Sequence, residues 1–261
     1  MPMKALRCSL IAIAAASAAV AQNVPEPELG NLLVNLPTHL ALAPSTLQVL
    51  FTHRFTATTS AAGPGDLYGL DSGADVGLGL AMGFGHGLEA SVYRSSFFKE
   101  YESAIKWTAL RQGEAFPLGV AIRLGADYRA ATGVTDRWAG FAQLVVARRL
   151  GSALDLFAVP MFATDTPTLR HAGNVGLGAS VHLGHAWDVA LEGIPANRDV
   201  PGSTLAWAVG LTKRVRGHAF VIYFGDSRAT TTDLIAGSDI PGGFKTGDVR
   251  LGFNLIRRFP E

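Results

Sequence analysis

Cysteine is nearly missing from this chain: Cys8 is the only one in 261 residues. It lies in an N-terminal stretch where Lys4 and Arg7 precede an apolar run, Leu10 to Val20, closed by Ala19-Val20-Ala21. A basic start, a short apolar core and a small-residue A-x-A site predict a cleaved secretory signal peptide over residues 1–21. The run is too short to persist as a membrane anchor. Cys8 is not at the cleavage point, which argues against a lipid-modified N-terminus. The expected mature chain has no cysteine, which excludes disulfides, thiol nucleophiles, thiolate metal ligands and covalently attached haem. Long apolar runs are the second absence: past the signal, none reaches the roughly 18 residues that a membrane helix needs. Charge is the third, at 16%. Removing Lys4 and Arg7 from the 22 basic residues leaves 20 against 21 acidic ones. That balance excludes the basic excess of a nucleic-acid binder. Also missing are G-x-S-x-G and any His-x-Ser pair, which argues against the chemistry of an outer-membrane phospholipase. The Gly-x-Gly runs at Gly77-Leu78-Gly79 and Gly176-Leu177-Gly178 precede no helix and read as strand glycines.

Alternation is abundant. Val76, Leu78, Leu80 and Met82 alternate with Asp75, Gly77, Gly79 and Ala81, and Leu88, Ala90 and Val92 alternate with Glu89, Ser91 and Tyr93. The segment from Leu118 to Arg129 repeats the pattern, with Gly119, Ala121, Arg123, Gly125, Asp127 and Arg129 on its small or polar parity. Period two puts successive side chains on opposite faces of a strand. An exported chain that is apolar in composition but lacks spanning helices must satisfy its backbone between strands, in a closed barrel. The fold expected is therefore all-β: an up-and-down antiparallel transmembrane β-barrel of about 12 strands over residues 47–261. The links alternate between longer ones, such as 57–74 and 225–247, and tighter ones, such as Gly83 to Gly87. Longer extracellular loops and short periplasmic turns give that alternation.

The apolar parity is expected to face lipid, with Tyr101, Tyr128, Trp138, Trp187 and Phe259 near strand ends as interfacial aromatics. Residues 22–46 hold Pro25, Pro27, Pro37 and Pro44 without a sustained period. They read as a periplasmic lead-in with a helical turn around Asn31–Asn35. The inner parity carries Arg54, Glu89, Glu102, Lys106, Arg123, Asp127, Asp188, Glu192 and Arg250. Two readings stay open for these charges: a constriction that selects a solute, or ion pairs that fill a narrow lumen. His182 and His185 form H-x-x-H across a turn but lack a third ligand, so no metal or other cofactor is expected.

A further set of residues carries a resemblance. It comprises His53-Arg54-Phe55, Asp66 to Asp71, Arg94-Ser95-Ser96, Lys99, Tyr101, Lys106 and Leu110-Arg111-Gln112. It continues at Phe224-Gly225-Asp226-Ser227, Ile240 to Gly243, Gly252-Phe253-Asn254 and Arg257-Arg258-Phe259. On these the chain resembles a family of bacterial outer-membrane β-barrels whose domain has no assigned function. The resemblance implies fold and location, and brings no substrate. It also implies one polar site on the inner wall from Arg54, Asp71, Arg94 and Lys106, to which the inner-face Arg123 is added. The terminal strand ending at Phe259 looks like the signal read by the outer-membrane barrel assembly machinery. The expectation is a monomeric, non-enzymatic, porin-like barrel in outer-membrane lipid that passes or binds a small solute. The alternative is a closed barrel docking a periplasmic export or electron-transfer complex through Arg148, Arg149, Arg214 and Arg216. A barrel hydrolase ranks third.

Overall fold

The structure, a computed structural model, describes residues 30–113, 115–167, 170–184, 186–199, 204–237 and 247–259. The signal peptide, His185, the Ile240-to-Gly243 turn and the start of the lead-in lie outside these residues. Within them, twelve strands close a barrel in which every strand pairs antiparallel with its neighbours in sequence, and β1 pairs with β12. The strands are β1 (Leu47–Phe55), β2 (Ala74–Gly85), β3 (Leu88–Ser95), β4 (Glu100–Leu110), β5 (Gly119–Arg129) and β6 (Trp138–Leu150). They continue as β7 (Leu154–Thr164), β8 (His171–His182), β9 (Trp187–Ile194), β10 (Ala206–Val215), β11 (His218–Gly225) and β12 (Arg250–Phe259). The expected meander holds. Closure leaves no free sheet edge, which is the condition for spanning a bilayer with strands.

The two parities separate as their composition demands. Leu78, Leu80, Met82, Val92, Ile105, Leu124, Trp138, Leu177 and Ile222 project outward and are exposed. Tyr101, Trp187 and Phe259 are exposed outside the barrel at strand ends. The opposite parity lines the lumen with Thr52, Glu89, Glu102, Lys106, Asp127, Gln143, Asp188, Glu192 and Asn254, all buried.

The stretch read as a lead-in is folded up inside the barrel. Leu33, Val34, Leu36, Leu40 and Leu42 are buried there. No helical turn forms: Leu32 bridges Pro37, and the Leu33 amide donates to the Leu36 carbonyl at 2.9 Å, which makes a compact hairpin tip. The wall makes room with glycine. A Cβ on Gly83 would lie 2.2 Å from the Ala43 carbonyl oxygen, and one on Gly119 would lie 2.2 Å from the His39 ring. A second insert enters from the other end. After β11 the chain turns inward and forms a short helix, Thr232–Gly237, every residue of which is buried. The loop from β1 to β2 carries its own helical turn, Thr59–Ala62, with no buried residue. We call these helices α1 (Thr59–Ala62) and α2 (Thr232–Gly237).

Gly83→Val tests the N-terminal insert. Overpacking of this kind costs about 1–3 kcal/mol, and the backbone of Ala43 has no rotamer through which to yield. The variant is expected to keep the heat-modifiable gel mobility of a folded barrel while residues 30–43 become open to protease. Full protection of that segment in the variant would contradict the packing described.

Candidate functional site

Three polar assemblies in the lumen join the wall to an insert. The first holds the N-terminal tip. Glu192 on β9 accepts the backbone amides of Val34 (2.9 Å), Asn35 (2.9 Å) and Leu36 (2.8 Å), and the Asn35 side chain at 3.1 Å. Successive amides converging on one carboxylate form an anion-binding nest. Across the lumen, Arg54 on β1 donates to Asn35 Oδ1 at 3.1 Å and to Asn254 Oδ1 at 2.8 Å, with its guanidinium 4.1 Å from the Tyr223 ring. Asn254 on β12 donates to the Val34 carbonyl at 3.2 Å. Asn35 thus stands between a buried cation and a buried anion that do not touch.

The second assembly lines a cavity of about 100 Å³ between the two inserts. Its walls include Asn31, Gln48, Thr52, Ser91, Tyr93, Thr230 and Thr232, together with two ion pairs. Lys106 on β4 meets Glu89 on β3 at 3.2 Å and also donates to the Asn31 carbonyl. Arg123 on β5 pairs with Glu102 on β4 and donates to Gln143 and to Thr232 of α2, each at 2.8 Å. Tyr93 lies over Gly77 and hydrogen-bonds Thr52 at 2.6 Å. Space of this size with these partners accommodates several waters or one small polar molecule.

The third closes the long-loop end. Arg129 at the end of β5 pairs with Glu100 at 3.1 Å and with Asp233 of α2. Thr231 donates to Glu100 at 2.6 Å, and the Thr232 amide to Glu102 at 2.7 Å. At the tight-turn end an ion-pair chain runs along the wall. Arg149 holds Asp155 at 2.8 Å, Asp155 meets His182 at 2.6 Å, His182 meets Asp188, and Asp188 pairs with Arg214. Below it opens a vestibule of about 690 Å³ whose lining includes Arg111, Arg216 and Arg258.

The structure brings together part of the expected site. Arg54, Lys106 and Arg123 face the lumen, the last two on the cavity. Asp71 and Arg94 do not join them. Asp71 is exposed in the loop after β1, and Arg94 is exposed outside the wall with its guanidinium 5.6 Å from the Tyr101 ring. The reason is parity: Arg94 follows Leu88, Ala90 and Val92 on the outward face, which shared motif residues do not override. Sequence reasoning missed Asn35, Thr232 and Asp233, because loops and inserts have no period, and missed Tyr223, a buried residue of β11, because only charged residues of the inner parity were singled out. Of the arginines offered as a docking patch, Arg149 and Arg214 are engaged with lumen carboxylates. His182 likewise is held between two aspartates.

Residues 29–259 match the model of a family described as a membrane bound beta barrel domain (DUF5777). The chain belongs to this family. Among solved structures, the fold is similar to the NanC porin, with a TM-score of 0.53 and 7% identity over 81% of this chain and 98% of that one. Outer membrane phospholipase A from Escherichia coli aligns at a TM-score of 0.49 and 13% identity, over 82% of this chain and 90% of that one. Omp33 from Acinetobacter baumannii aligns at 0.46 and 10%, over 82% and 98%. The search of curated protein sequences gave no match. The family membership and the porin-like architecture make this a membrane-bound β-barrel similar to outer-membrane proteins.

One titration bears on the first insert. Burial pushes the His39 imidazole down from 6.5 to about 4, partly offset by Asp155 and reinforced by Lys106, Arg149 and Arg111. A base with a depressed folded value is neutral in the fold. Its contribution is present above pH 6.5 and is lost as pH falls toward 4. At pH 5 the loss is about 2 kcal/mol at 1.36 kcal/mol per unit. Protease cleavage within residues 30–43 is expected to rise between pH 7.5 and pH 5. In His39→Gln that pH step should vanish.

Proposed function

We propose that this protein is a gated outer-membrane barrel that admits a small, polar, net-neutral solute. In this reading the two inserts are its gates, and the tight turns face the periplasm. The observation that carries it is the cavity between the inserts, walled by two ion pairs. A barrel built only to be closed gains nothing from such a wall. Replacing a buried ion pair by well-packed apolar residues is often neutral or stabilising by about 1–4 kcal/mol. Polar walls serve where water and a solute must pass. Adjacent positive and negative groups in equal number favour a zwitterion or a neutral polyol over a strong anion. The inserts are held by hydrogen bonds at their tips, which water can replace one at a time, so they are suited to release. No hydrolytic role is inferred, because the serine–histidine motif of a barrel lipase is missing from the chain.

The second reading is the closed docking barrel. The vestibule at the tight-turn end favours it, since Arg111, Arg216 and Arg258 line a recess open to a partner.

Single-channel recording separates the two. Glu192→Gln keeps the shape of the side chain but removes the charge that holds three amides, and charged hydrogen bonds are about twice as strong as neutral ones. The parent barrel is expected to show brief, rare openings, and the variant at least about a tenfold higher open probability, since 1.4 kcal/mol is a factor of ten. A folded variant as silent as its parent would favour the docking reading.

A further inference from the structure

Beside the Arg129 closure lies a carboxylate that the ion pairs do not use. Asp127 is fully buried, and neither of its oxygens has a hydrogen-bond partner. It points at two other carboxylates: one oxygen each from Asp127, Glu100 and Asp233 lie within 4.8 Å of one another. The three come from β5, β4 and the inserted helix α2. Their surroundings do not neutralise them. Arg129 serves Glu100 and Asp233 and gives Asp127 no donor. Arg123 is engaged with Glu102. Three carboxylates against one guanidinium leave two negative charges uncompensated in a buried site, which the cost of unpaired buried charge forbids at neutral pH.

We propose that Glu100, Asp127 and Asp233 bind one divalent hard cation, of the size of calcium, which staples α2 to the barrel wall. The charge of the ion equals the local deficit. All three ligands are carboxylate oxygens, the donors that calcium takes. Three oxygens within 4.8 Å of one another can share an ion at the distance of about 2.3–2.6 Å that calcium takes, and calcium accepts protein carboxylates in flexible geometry, whereas magnesium demands a near-ideal octahedron and keeps several waters. The other oxygens of the cluster are already oriented. Thr231 donates to Glu100 Oε2 at 2.6 Å, and the Leu234 amide donates to Asp233 Oδ1 at 2.7 Å. Because Asp233 belongs to the insert while Glu100 and Asp127 belong to the wall, occupancy ties closure of the long-loop end to the cation. That consequence for opening rests on the gated reading above; the binding itself does not.

The test is calorimetric titration of the refolded full-length protein in detergent with calcium chloride, after chelation and desalting. The expected result is one ion per chain with a dissociation constant of about 10⁻⁴ to 10⁻³ M, the range of few-ligand extracellular sites. Asp127→Asn is expected to weaken binding at least about tenfold through the lost ligand charge, and to abolish the rise in melting temperature that calcium gives the parent. If Asp127→Asn does not refold, Glu100→Gln is read in the same way. A folded parent that binds no calcium overturns the proposal and assigns the neutralisation to shared protons. Binding undiminished in a folded variant overturns it too, by placing the ion elsewhere. Neither outcome involves conductance, so the failure of this site and the failure of the gated reading are told apart.

Discussion

The lumen is organised around one carboxylate. Glu192 stands in a space from which bulk water is largely excluded, and it is satisfied by three consecutive amides of the N-terminal tip. Each side of this arrangement needs the other. Without the tip, Glu192 is a charge facing an empty wall; without Glu192, three backbone donors at the bend have no acceptor inside the barrel, and a buried unpaired amide is costly. Arg54 completes the balance from the opposite wall through Asn35, so the insert is held between opposite charges. The glycines of the inner parity follow from this. Gly83 and Gly119 sit where the insert comes closest, and side chains there would exclude it.

The same logic recurs at the other end with opposite polarity. There the insert brings its own carboxylate, Asp233, to a wall arginine, and a wall glutamate, Glu102, accepts the Thr232 amide. Arg123 touches both Glu102 and Thr232, so it belongs to the cavity and to the closure at once. Loss of α2 from the lumen would leave Arg129 and Glu100 facing each other without Asp233 and Thr231. The two inserts close the barrel by different means. One is uncharged and is gripped through its backbone; the other contributes its own ionised side chain. Titration of carboxylates therefore acts on both inserts, through Glu192 on one and Asp233 on the other, whereas protonation of His39 acts on the N-terminal insert alone.

The barrel was legible in the sequence because a strand in a closed sheet has no choice of face. Leu118 to Arg129 alternates without an error, and the observed strand differs from that reading by one residue at its start. The inner parity likewise identified Arg54, Glu89, Glu102, Lys106, Asp127, Asp188 and Glu192, all buried in the structure. Arg94 shows the limit of the other kind of signal. Its motif placed it with Arg54, while its parity, visible in the same residues, placed it outside. Where the two disagree, geometry decides, since a one-residue shift would carry every neighbour on β3 to the wrong face.

The inserts were not legible by period, because neither is a long regular element, yet they left a different trace. Residues 30–46 contain no Asp, Glu, Lys or Arg, and include Leu32, Leu33, Val34, Leu36, Leu40 and Leu42. A solvated tether has little reason to carry so much apolar surface and no charge, whereas a segment that threads a lumen already supplied with charge does. The inner wall holds the complementary trace: Glu192 stands opposite Gly178 and Ala208 on its two neighbouring strands, with no cation in register. A buried charge whose cross-strand partner is missing must find compensation from outside the sheet. Unbalanced inner-face charges in a barrel sequence, taken with an uncharged apolar terminus, therefore predict that the terminus lies inside.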